Sequence, residues 1–200
     1  VDPRRARPAA CLDSDRLVLR CFEARDAPEL FASIERSRAH LERWLAWPST
    51  IRSLDDALAW TERVRPEVFD ATLPFSMGMF ERTTGGLVGA AGMKHRGEGL
   101  DVSYWIDVDA LGRGYALEAV RRLAQHGIDD LETPRIDLRI EPDNAPSIAV
   151  ARRAGFRREG TLRNGLVRDG IWRDLILFSL FDRAELVRAK IGDCVTRRRD

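Results

Sequence analysis

Three alternating apolar runs, at 75–82, 87–95 and 100–108, follow one another with only short glycine links between them, Gly85-Gly86 and Gly97-Glu98-Gly99. Links this short join antiparallel strands, because a parallel pair needs a crossover of a dozen or more residues. The middle of the chain is therefore committed to an antiparallel meander. Its third run leads directly into Leu111-Gly112-Arg113-Gly114-Tyr115-Ala116, and Leu117, Val120, Ala124 and Ile128 then recur at helical spacing. The resulting unit is a strand, a glycine turn and an amphipathic helix.

The flanking segments complete one layered unit. Residues 16–20 alternate and read as a first strand. Asp26 reads as an N-cap, with Pro28 in the first turn and Glu29 three residues on. Leu30, Phe31, Ile34, Leu41, Trp44 and Leu45 continue at helical spacing until Trp47-Pro48-Ser49 breaks it. Ser53 caps a second helix with Leu54, Ala57, Leu58 and Val64 on one face and Pro66 near its end. Further on, Ile136, Leu138 and Ile140 mark a half-buried strand, and Pro146 opens a helix that Gly155 closes. A strand starts at Phe156, and Arg168-Asp169-Gly170 turns it into a partner whose Leu175-Ile176-Leu177-Phe178 reads as buried on both faces. The order β-α-α-β-β-β-α-β-α-β-β predicts one mixed α/β domain over 14–182. A flexible arm is expected over 1–13 and a helical or disordered tail over 183–200.

Composition narrows the function. Thirty-three Lys and Arg against 32 Asp and Glu leave a net charge of +1, without the basic field of a nucleic-acid binder. The arginine-rich ends, Arg4-Arg5 and Arg197-Arg198-Arg199, read as solvated tails, with an RNA-associated factor as a third reading of the chain. Cys11, Cys21 and Cys194 form neither a CxxC nor a Cys/His cluster, so no metal site is expected and a cytoplasmic location suits the sparse count. No apolar run is long enough to span a bilayer.

The glycine turn carries the chemistry. Amides at a helix N-terminus lack internal partners and carry partial positive charge, so several can bind one phosphate. Gly112 and Gly114 remove side chains that would block the approach, Ala116 keeps the first turn slim, and Arg113 adds a cation. The P-loop pattern GxxxxGK[ST] is absent. A Rossmann turn would follow the first strand of a βαβ unit and carry a third glycine where Leu117 stands. A plain glycine-rich helix start is the remaining alternative from the turn alone.

Together with the segment Asn144, Ser147, Val150, Gly155, Phe156, this turn resembles the GCN5-related N-acetyltransferase (GNAT) superfamily, and within it the RimJ/RimL-type branch that acetylates ribosomal-protein N-termini. The turn corresponds to the family's [QR]xxGx[GA], with Leu111 in place of the usual polar residue. The segments 16–20, 37–41, 44–47, 103–106 and 159–163, and Asp169-Gly170 with Asp174, match in the same order, so the resemblance spans roughly 14–182. It implies a twisted, mostly antiparallel sheet of about seven strands, splayed mid-sheet to admit the cofactor and flanked by about four helices. The implied activity is transfer of an acetyl or other acyl group from an acyl-CoA to a primary amine. A protein N-terminus is the first acceptor class and a small amine such as a polyamine or antibiotic the second. A non-catalytic CoA-binding module is the alternative from a different class. A monomer or homodimer is implied.

The resemblance also assigns residues. Ile106, Val108, Leu111, Gly112, Arg113, Gly114, Tyr115, Ala116, Asn144 and Ser147 would bind acetyl-CoA, and Ser147 would serve as general acid to the leaving sulfur. The branch's glutamate base would fall on Leu166, which cannot take a proton. Asp101 lies on the strand before the turn, where other superfamily members carry a carboxylate base, and by strand parity shares a face with Ser103 and Trp105. It is therefore the preferred base, with Glu98 and His95 behind it and bulk water as the alternative. Trp44 and Trp47 would line the acceptor side, the competing role being core packing. Asp174 is expected to fix a neighbouring loop by hydrogen bonds.

Overall fold

The computed structural model describes residues 9–64, 75–97 and 99–182. Pro66, Glu98, Cys194, residues 1–8 of the expected arm and the 183–200 tail, with its arginines, lie outside the described residues. The described chain forms β1 (Cys11–Asp13), β2 (Leu17–Cys21), α1 (Ala27–Glu42), α2 (Leu54–Arg63), β3 (Phe75–Glu81), β4 (Leu87–Arg96), β5 (Gly99–Ile106), α3 (Tyr115–Asp129), β6 (Ile136–Ile140), α4 (Ala145–Arg153), β7 (Arg157–Arg168) and β8 (Ile171–Leu180). No helix is long and apolar enough to cross a membrane among these residues.

The strands form one sheet in the order β1-β2-β3-β4-β5-β6-β8-β7. The predicted meander is its centre, with Lys94 opposite Asp101 and Gly92 opposite Ser103 across β4 and β5. Only β5 and β6 run parallel, and they pair at Leu100 with Ile136 and Asp101 with Asp137 before separating. From Val102 to Ile106, β5 thus has a main-chain edge facing no strand on the β6 side. The alternating strands give the sheet two apolar faces. On one, Leu100, Val102 and Ile106 pack with Leu117, Val120, Leu123 and Ala124 of α3 and with Phe178 and Leu180 of β8. On the other, Trp105 packs with Leu30, Ile34 and Leu41 of α1 and Ala57 and Trp60 of α2.

Several local expectations change in the fold. The arm includes a strand, because Leu12 fills a core site while Cys11 pairs with Arg20. That strand brings the sheet to eight. Asp26 occupies the α1 N-cap position without capping it. Its carboxylate instead takes a bidentate contact from Arg20 and the Glu23 amide at 2.8 Å, a stronger charge-assisted partnership than a cap. Ser53 does cap α2, accepting from the Asp56 amide at 3.1 Å. The buried face of α2 carries Ala57, Trp60 and Thr61, while Leu54 and Leu58 are exposed. The large indole, inserted between Phe22 and Trp47, sets the rotation of this helix. In β8, Leu175 and Phe178 are buried while Ile176 and Leu177 are half-buried. The β7–β8 turn places Asp169 and Gly170 at φ 53° and 73°, the paired left-handed geometry of a two-residue hairpin loop.

Candidate active site

The glycine turn sits where β5 leaves the sheet. Asp107 ends the strand, fully buried, and accepts from Ser33 Oγ, from Arg36 Nη2 at 2.6 Å and from the Asp109 amide at 2.9 Å. Ser37, one turn along α1 from Ser33, accepts from the Val108 amide at 2.9 Å. Two serines four residues apart share a helix face, so α1 clamps the strand end in two places. Burial alone would raise the Asp107 carboxyl pKa, but the Arg36, Ser33 and Asp109 hydrogen bonds outweigh it and hold it below the usual carboxylate range.

Beyond this clamp, Gly112 and Gly114 adopt φ 75° and 81°, a region costly for residues with a Cβ. Leu111 to Gly114 are exposed and Tyr115 is buried. The first helical bond at this end runs from the Glu118 amide to the Gly114 carbonyl at 3.2 Å. The amides ahead of it have no helical partner and lie where a Cβ on Gly112 would meet nothing within 4 Å. Arg16 braces the turn from β2's leading edge. Its guanidinium donates to the Arg113 carbonyl at 2.8 Å, pairs with Glu118 at 2.8 Å and lies 4.8 Å from the Tyr115 ring centre. The Tyr115 hydroxyl in turn donates to Glu81. Arg16 and Glu118 are site residues that sequence reasoning missed. They stand 102 positions apart, and neither belongs to the glycine pattern.

The second half of the site comes from the β6–α4 link. Asn144 is the N-cap of α4, its side-chain oxygen accepting from the Ser147 amide at 3.2 Å. That bond fixes the first turn and so the half-buried Ser147 side chain. Facing Ser147 from β5 is Tyr104, on the strand segment that no longer pairs with β6. Its hydroxyl is buried beside the Ser147 side chain and meets no protein group in good hydrogen-bond geometry. Burial pushes the phenol pKa up and the nearby Ser147 side chain partly opposes this. Tyr104 is the third residue sequence reasoning missed; only its position on the unpaired part of β5 distinguishes it. The open edge of β5, the free amides of the turn and the Ser147 hydroxyl thus border one splay. This arrangement fits an extended thioester-bearing arm with a diphosphate at one end: main-chain groups for the arm, amides and Arg113 for the anion, a hydroxyl for the sulfur.

The other predicted residues distribute unevenly. Asp101 lies on the Trp105 face, opposite the face bearing Tyr104, and both of its oxygens are engaged. Arg139 Nε reaches Oδ1 at 3.1 Å and Oδ2 at 3.0 Å, and Arg96 Nε also meets Oδ2. Trp47 is half-buried, stacked on Trp60 at 5.7 Å and tilted against Trp105 at 6.0 Å, so much of its ring belongs to the second core. Trp44, also half-buried, carries the Arg43 guanidinium 4.9 Å from its ring centre and accepts from Arg168 at its carbonyl. Asp174 accepts from the Asn164 amide at 2.9 Å, fixing the β7 bulge as expected. Leu166 is exposed on β7 opposite Arg173 of β8.

Comparison with known proteins gives the family. Residues 16–157 match the acetyltransferase (GNAT) domain family. The chain is 25% identical over 177 residues to YdaF of Bacillus subtilis strain 168, a candidate ribosomal N-acetyltransferase, covering 86% of this chain and 95% of the relative. A candidate ribosomal-protein-serine acetyltransferase from Vibrio cholerae superposes with a TM-score of 0.74 at 28% identity, covering 88% of this chain and 99% of that one. RimL, a ribosomal L7/L12 alpha-N-protein acetyltransferase solved with coenzyme A, shares the fold at a TM-score of 0.77 and 20% identity, covering 87% and 99%. This chain belongs to the acetyltransferase (GNAT) family, in its RimJ/RimL-like branch, and is an acyl-CoA-dependent N-acetyltransferase.

Proposed function

We propose that the acceptor is the N-terminal amine of a protein or peptide, with acetyl-CoA as donor and Ser147 as the group that assists the leaving sulfur. The observation that carries the reading is the Asn144-capped turn, which holds Ser147 at the splay beside the unpaired edge of β5. The names of the relatives, candidate ribosomal and ribosomal-protein-serine acetyltransferases, favour a protein acceptor over a small amine.

In this reading the amides before Glu118, with Arg113, hold the diphosphate, and the β5 edge around Ile106 with the following Val108 holds the pantetheine arm. Acetyl-CoA supplies an activated acyl carbon. The amine lone pair forms the C–N bond as the C–S bond breaks. The sulfur receives a hydrogen bond and then a proton from Ser147 Oγ, and solvent returns that proton. Asp101 is assigned to holding Arg96 and Arg139 in place, because its oxygens are committed to them, and the ammonium proton leaves to water. Trp44 and Trp47 form the rim of the acceptor side.

Thiol release from acetyl-CoA, measured with N-terminal peptides and small amines, tests the assignment. Peptide-dependent release that falls about 10²-fold in Ser147→Ala is expected for loss of a positioned acid. Turnover of polyamines with no peptide activity would select the small-amine reading. Tight acetyl-CoA binding without any release would leave a CoA-binding module.

A further inference from the structure

The face of the sheet that carries Asp101 continues past the splay onto β6 and β8. Register places Lys94, Asp101, Asp137 and Ser179 in one lateral row. Alternation along β8 puts Leu177, Leu175 and Arg173 on that same face. Its carboxylates are neutralised by guanidiniums. Asp101 pairs with Arg96 and Arg139, Asp137 with Arg135 at 2.7 Å, and Glu141 with the buried Arg168, which also ties β7 to the Trp44 carbonyl.

Arg173 differs from these cations. It is half-buried, its Nε is fully buried without a hydrogen-bond partner, and it has no acidic partner among the described residues. Its cross-strand neighbour is Leu166. A carboxylate at that position would neutralise it, and a leucine leaves it open. An unsatisfied buried donor on a charged group is expensive, and an anion held by the rest of this half-buried guanidinium would offset that cost.

Arg173 thus shares its face of the sheet with Asp101 and Trp105, and the β7 strand opposite it is tied through Arg168 to the Trp44 carbonyl on the acceptor side.

We propose that Arg173 binds an anionic group of the acceptor, so that the enzyme selects amino-terminal segments bearing a carboxylate or phosphate near the amine. The inference rests on the peptide-acceptor reading above and adds the class of acceptor. It also disfavours polycations, which would meet Lys94, Arg96 and Arg173 on the same face.

The test uses matched acceptor peptides that differ only at the second, third or fourth residue: Asp against Asn, and phosphoserine against Ser, with spermidine alongside. The wild-type enzyme is expected to prefer an anionic peptide over its neutral counterpart by about ten- to a hundredfold in kcat/KM, carried mainly by KM, the worth of one charge-assisted hydrogen bond. The ratio should collapse toward one in Arg173→Gln and recover partly in Arg173→Lys. The Asp and phosphoserine arms separate the two anion sources. Binding is read independently from the ¹⁵Nε resonance of Arg173, which should shift with the anionic peptide and not with the neutral one. Shift without turnover would uphold the anion site while removing the peptide-transfer reading. Equal use of both peptides by wild type, or a preference that survives Arg173→Gln, would overturn the proposal.

Discussion

Replacing Gly112 with alanine separates the anion-binding role of the turn from its folding role. Gly112 has φ 75°, and an added Cβ would meet no protein atom within 4 Å. The cost to the folded chain is therefore backbone strain alone, about 1 kcal/mol for a left-handed non-glycine residue. For a domain of this size that lowers Tm by about 2–4 °C. Gly85, in the β3–β4 link, is a matched control: φ 73°, again with nothing within 4 Å of a Cβ, and outside the glycine turn. Both variants should lose the same small stability in thermal melts. Only Gly112→Ala adds a methyl where the diphosphate is to meet the amides. Losing one charge-assisted hydrogen bond is worth about 1.5–3 kcal/mol, or roughly 10- to 150-fold in affinity. Acetyl-CoA binding by calorimetry, with the KM for acetyl-CoA as a second readout, should weaken by that factor in Gly112→Ala and stay within about twofold of wild type in Gly85→Ala. Equal affinities for acetyl-CoA in the two variants would refute the amide cradle.

The other outcomes follow from individual contacts. Tyr104→Phe removes a buried hydroxyl that meets no protein group in good hydrogen-bond geometry, so Tm should hold or rise while kcat falls severalfold; a drop in Tm would show that the hydroxyl is satisfied in the folded protein. Asp101→Asn retains an oxygen acceptor for Arg96 and Arg139, so turnover near pH 8 should fall by less than about threefold, whereas a loss near 10²-fold would reinstate Asp101 as the base. Asp107, Asp26 and Glu118 have folded-state pKa values below their usual ones, since hydrogen bonds from arginines and amides outweigh the burial that would raise them. Their stabilisation is complete above the unfolded carboxylate range, about pH 4, and is lost as pH falls through the lower folded values. Melts should therefore be insensitive to these groups from about pH 5 to 7 and decline below pH 4, and Asp107→Asn should flatten that decline; a wild-type Tm unchanged down to pH 2.5 would contradict the assignment.

Much of this molecule is legible from local pattern. The glycine links dictate an antiparallel meander because two or three residues cannot cross a sheet. Gly112 and Gly114 announce a left-handed turn before a helix, and Asn144 announces the cap that fixes Ser147, because dihedral limits and orphan amides act over a few residues. Partnerships across the fold are different. Arg16 meets Arg113 and Glu118 across nearly a hundred residues, Arg139 reaches Asp101 only because β6 lies beside β5, and Tyr104 loses its neighbour only because the two strands separate after two pairs. The turn could thus be read as an anion cradle from its own residues. Which cations meet Asp101 depended on what the sheet delivered to it, since Coulomb and hydrogen-bond energies follow distance in space rather than along the chain.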